Sequence, residues 1–93
     1  MFSVGWVRSA LNDLAGIWNQ ANSGERAAIS DAANRIDSIL AANPSDQGES
    51  RPNGRRVLVE LPLVVVFEVL EQDRMARVLQ VHLAPRGRKK EET

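Results

Sequence analysis

The apolar positions of this chain change period halfway along it. Phe2, Val4 and Trp6 alternate with smaller neighbours, the spacing of a short strand over residues 2–8. Leu11, Leu14, Ala15 and Trp18 then recur three and four apart, predicting an amphipathic helix over 10–21 with Ser9 as its N-cap. Asn22-Ser-Gly-Glu25 interrupts that pattern and restarts it, with Asn22 as a cap and Glu25 in the capping-box position. The second helix carries Ile29, Ala32, Ala33, Ile36, Ile39 and Leu40 on one stripe. It ends at Asn43-Pro44, because the residue before a proline disfavours the α region.

A polar loop over 45–54 leads into three β-branched runs, at 55–61, 63–70 and 75–83. The corner at Leu61-Pro62-Leu63 and the polar turn Glu71–Arg74 make them an antiparallel meander. The order strand, helix, helix, strand, strand, strand predicts an α+β domain of two layers. Its sheet is mainly antiparallel, and both helices pack on one face. Alternation puts Arg56, Leu58, Glu60, Val64, Val66, Glu68, Val78, Gln80 and His82 on the open face, marked by its charged members. The helices then cover Val57, Val59, Val65, Phe67, Leu79 and Val81, with Leu11, Leu14 and Trp18 packed on them and Trp6 in the core. Leu58, Val64, Val66 and Val78 make the open face more apolar than solvent requires, so they are the expected partner-binding residues, toward another protein or a second copy.

Composition narrows the classes. Ninety-three residues make one domain, expected over 1–86, with a charged and frayed tail over 87–93. There is no cysteine and one histidine, so no metal-ligand set or disulfide is available, and no cofactor is implied. The longest apolar run, 61–67, is too short to cross a bilayer, and the N-terminal residues lack signal-peptide character. The expectation is a soluble cytoplasmic protein. The formal net charge is zero, yet Arg51, Arg55 and Arg56 form one basic knot and Arg86, Arg88, Lys89 and Lys90 another. Such knots attract phosphate or remain solvated surface.

Three segments resemble the RelE/ParE toxin superfamily of type II toxin–antitoxin systems. ALNDLAGIW (10–18) is similar to its first-helix signature, NRIDSILAANP (34–44) to the end of its second helix, and GRRVLVELPLVVVFEVLEQDRMARVLQVHLAPR (54–86) to its meander. The resemblance covers residues 3–86. It implies a toxin that acts on mRNA at the ribosome or on DNA gyrase and is neutralised by an antitoxin. The runner-up is a catalytically degenerate interaction module of the same fold, binding a partner or itself through the open face.

The same resemblance defines the candidate site. RelE-type cleavage uses basic meander residues to activate a 2′-hydroxyl, steady the phosphate and protonate the leaving group. Arg55, Arg56, His82 and Arg86 are the candidates for those roles, but Val64 stands where the pattern has an arginine, and there is no tyrosine. From the residues alone, His82 reads either as an acid–base group or as an ordinary sheet residue. Glu60 and Glu68 read as a general acid–base pair, as solubilising carboxylates or as partners of Arg56.

Overall fold

The computed structural model describes residues 1–85 and orders them as five strands and two α-helices, with short 3-10 turns at Pro44–Asp46 and Pro52–Gly54. The chain runs β1 (Ser3–Trp6), α1 (Arg8–Asn19), α2 (Ser23–Ala42), β2 (Glu49–Arg51), β3 (Arg55–Glu60), β4 (Leu63–Leu70) and β5 (Met75–Leu83). The sheet order is β1-β5-β4-β3-β2. Only the β1–β5 pair is parallel, as the two-helix crossover between β1 and the meander permits. The α+β, two-layer architecture expected from the period change is present. Arg86 and the expected tail 87–93 lie outside the described residues.

One core cluster joins the layers. Ile29, Ala32, Ile36 and Leu40 of α2 and Ala10 of α1 pack with Leu58, Leu63, Val65, Phe67, Ala76, Val78 and Val81 of the sheet, all buried. The α2 stripe is as its period predicts, and its start is the expected capping box. Asn22 Oδ1 accepts the Glu25 amide, and Glu25 Oε1 accepts the Asn22 amide, both at 2.9 Å.

The first helix differs from its expected phase and start. It begins at Arg8, and its N-cap is Val7, which offers no side-chain bond. Ser9 instead lies in the first turn, where its Oγ donates to the Leu79 carbonyl. Ala10 is buried and Leu14 and Ile17 pack on the core, whereas Leu11 is 51% and Trp18 38% exposed. Trp18 lies against the Arg26 guanidinium, 5.4 Å from ring centroid to Cζ. Trp6 packs on the core and donates its indole N–H to Asp37 at 2.7 Å.

Two strands also face differently from expectation. Leu58 pairs with Val65 and Arg56 with Phe67, so Arg56, Leu58 and Glu60 share the helix-covered face. The charged pair marks the wrong side because both side chains reach partners at the rim. Arg56 donates to the carbonyls of Gln47 and Gly48, and Glu60 accepts from Arg35 of α2 at 2.6 Å. On β5 a bulge sets Gln80 opposite Val66 but Val78 opposite Phe67, leaving Leu79 as the extra residue. One inserted residue exchanges the faces. Val78 is therefore core, fully buried, while Val57 and Val59 take the open face.

The polar loop holds more structure than its composition announces. Gly48 has φ +69°, and a Cβ there would lie 2.2 Å from the Val57 carbonyl oxygen. Only glycine permits β2 to approach β3 this closely.

Candidate functional site

The open face of the sheet is a grid whose rows follow from the strand registers. Across its middle run Arg51, Arg55, Glu68 and Arg77 on β2, β3, β4 and β5, with Gly5 of β1 closing the row. The next row is Glu49, Val57, Val66 and Gln80; the one beyond is Val59, Val64 and His82. A charged row thus borders a patch of four valines, of which Val59 is 57% exposed.

The charged row is internally paired. Arg77 Nε donates to Glu68 Oε2 at 2.9 Å, and Arg77 Nη2 bonds the same oxygen. Arg55 Nε stands 3.9 Å from Glu68 Oε1, an ion-pair distance too long for a hydrogen bond. Among the described residues, that Arg55 Nε is the buried side-chain nitrogen without a hydrogen-bond partner. Arg51 pairs outside the row, with Glu49 of the next one, at 3.2 Å.

The candidate catalytic residues do not converge. Arg55 is on the open face in the Glu68 row. Arg56 points to the helix side and is held by backbone carbonyls. His82 is opposite Val64, four residues along β4 from Glu68, about 13 Å at strand rise. Its ring Nε2 contacts Gln80 Oε1 at 3.0 Å. Val64 and Val66 are on the open face as expected, and Leu58 and Val78 are in the core and offer no partner surface. Among the described residues, no group of three His, Asp or Glu side chains is placed to hold a metal.

Two further features were missed from the sequence. Arg77 is the main partner of Glu68, and the hairpin carried the signal: a four-residue turn pairing Leu70 with Met75 places Glu68 opposite Arg77. The second is a cavity of ≈ 810 Å³ between α1, the start of α2 and the end of β5, lined by Asp13, Ile17, Ile29, Val81 and Leu83 among others. No periodicity announces it, because it is made by the gap between elements.

No protein-family model matches the chain, and no curated protein matches it. Its likeness to known proteins is three-dimensional. A chain of the chromosomal ParDE toxin–antitoxin system from P. aeruginosa superposes with TM-score 0.74 at 20% identity, over 91% of this chain and 98% of that one. The RelBE2 toxin–antitoxin complex from Mycobacterium tuberculosis gives 0.65 at 16% identity, over 88% and 90%. The isolated E. coli RelE toxin gives 0.63 at 14%, over 94% and 88%. At these identities the likeness is one of fold, and the chain shares that fold over nearly its whole length with the structures of the ParDE and RelBE2 systems and of the RelE toxin.

Proposed function

We propose that this chain is the toxin of a type II toxin–antitoxin pair, neutralised by an antitoxin and acting on a protein target of the gyrase class instead of cleaving mRNA. The observation that argues against mRNA cleavage is the dispersal, among the described residues, of Arg55, Arg56 and His82. Acid–base and phosphate-steadying groups must meet around one scissile bond, within hydrogen-bond reach of its reacting atoms. Here one arginine is on the opposite face and the histidine is rows away from the other.

Two surfaces fit the antitoxin. The valine patch, Val57, Val59, Val64 and Val66, offers flat aliphatic area on two adjacent strands. The cavity between α1 and the end of β5 has Ile17, Ile29, Val81 and Leu83 on its walls and suits the apolar face of an amphipathic helix. The fold neighbours support the pairing, since they include structures of toxins bound to their antitoxins.

The test is inducible expression with and without the product of a small reading frame adjoining the gene. The expected result is growth arrest that the second protein relieves, with gyrase-dependent DNA breaks and intact mRNA in arrested cells. Normal growth on expression alone, or arrest with A-site mRNA cleavage, would overturn the reading.

A further inference from the structure

Glu68 stands between two guanidiniums on a face that otherwise offers three cations in a line. Its side chain is 19% exposed, while those of Arg55 and Arg77 are 43% and 44% exposed. The carboxylate therefore sits low in the row, and the arginines remain open to a ligand above it. Arg77 spends its Nε and one Nη on Glu68, whereas Arg55 Nε faces the same carboxylate without bonding it. Beyond Arg77 the row continues at Gly5, where even a Cβ would meet nothing within 4 Å. The space over the row is open.

We infer that Glu68 is a built-in counter-ion occupying a polyanion site formed by Arg55 and Arg77, and that it determines specificity by keeping phosphate backbones off this face. The two arginines flank β4, roughly 10 Å apart at the spacing of alternate strands, a separation that one extended phosphodiester chain can bridge. With Glu68 in place, Arg51, Arg55 and Arg77 face two carboxylates, Glu49 and Glu68, and the surplus charge is +1. Neutralising Glu68 raises it to +2, frees the forked donors of Arg77 and removes the counter-charge facing Arg55, and guanidiniums so released bind phosphate well. Among the described open-face positions there is no Phe, Tyr or Trp, and the His82 ring lies two rows from Glu68, so a nucleic acid over this row would be held by its backbone and not by stacked bases. Glu68 is a specificity-determining residue here, not a catalytic one. The inference deepens the reading that this face does not process RNA, and it can fail without that reading failing.

Fluorescence anisotropy with a short oligouridylate compares wild type, Glu68→Gln and Glu68→Gln/Arg55→Ala/Arg77→Ala. From about 50 to 200 mM salt, Glu68→Gln is expected to bind roughly tenfold tighter at the low end, with a salt slope steeper by about 1.4 for two freed phosphate contacts. The triple variant is expected to return to the wild-type level. Glu68→Thr, which suits a strand, repeats the test if the glutamine variant does not fold. Equal affinity of wild type and both single variants would overturn the inference, as would a gain that survives loss of both arginines. A gain for polyglutamate as large as that for RNA would overturn the phosphate assignment. None of these outcomes depends on toxicity or antitoxin binding, which the growth assay reads separately.

Discussion

The Asp13 carboxylate on α1 accepts the main-chain amide of Val81 on β5 at 3.1 Å, joining residues 68 apart in the chain. One turn earlier on the same helix face, Ser9 Oγ donates to the Leu79 carbonyl. The two side chains thus grip the strand at its bulge residue, Leu79, and two residues beyond it, where ladder bonding is disrupted and main-chain groups need other partners. The bulge sets which of Val78 and Leu79 enters the core. The α1 contact therefore supports both the packing below the sheet and the row of charges above it.

Replacing Asp13 by alanine leaves the Val81 amide without its acceptor in a partly buried place. The expected loss is about 1–3 kcal/mol of unfolding free energy, the usual cost of orphaning such a group. Urea melts of Asp13→Ala and Asp13→Asn check it, since asparagine keeps an acceptor and should recover part of the loss. Equal stability of Asp13→Ala and wild type would mean that water serves the amide equally well.

Leu58 and Val59 are neighbours of similar character with opposite fates, 8% and 57% exposed. Leu58→Ala is expected to cost about 2–4 kcal/mol, as buried aliphatic truncations do. Val59→Ala should stay within about 0.5 kcal/mol, as exposed substitutions do. The reverse ranking in thermal or urea melts would restore the facing that alternation alone suggested.

That reversal shows where the sequence was legible and where it was not. Element type and order followed from period, since a 3.6-residue stripe such as Ile29-Ile36-Leu40 and runs such as Leu63–Phe67 have few other solutions. Facing depended on parity. Arg56 and Glu60 looked like markers of the solvent side, yet each finds a partner at the rim of the helix side, in the 47–48 backbone and in Arg35. The bulge at Leu79 shifted β5 by one residue, and nothing in Val-Leu-Gln-Val announces an insertion. On α1, apolar residues occur all round, so Leu11 and Trp18 were as plausible inward as Ala10 and Ile17. Asp13 decided the phase by its bond to β5. The catalytic candidates were legible as residue types, but their dispersal needed the registers.

Gly48 and Gly54 both have positive φ, +69° and +74°, yet only Gly48 is sterically confined. Gly54→Ala should cost about 1 kcal/mol, the penalty for a left-handed L-residue. Gly48→Ala carries the same penalty together with a clash against the Val57 main chain, so it should cost clearly more and loosen β2. Amide exchange at Glu49–Arg51 distinguishes the two variants. Similar protection in both would show that β2 yields to the added carbon without consequence.

Val66 is central in the open-face valine patch, between Val57 and Gln80 in its row. Val66→Lys puts a charge there and leaves the helix-covered core untouched, so the fold should survive. Partner affinity should fall at least tenfold if the patch is buried in the complex, because a desolvated, unpaired ammonium is costly. Titration of wild type and variant against the candidate antitoxin, with light scattering of each alone, reads this. Unchanged affinity and unchanged self-association would make the patch idle surface.

Ribosome-dependent mRNA cleavage should be absent or very weak. Val64 stands on the open face opposite His82, so among the described residues the row of His82 holds no cation. Losing one donor to a developing charge typically costs about 100- to 1,000-fold in rate. Arg55 cannot stand in, because its row is that of Glu68, and Arg56 is bound to the 47–48 carbonyls on the other face. Programmed ribosomes incubated with wild type, His82→Ala and Arg55→Ala should show the same background cleavage for all three. Efficient A-site cleavage by wild type that either variant abolishes would place the chemistry on these residues and require them to converge on the ribosome.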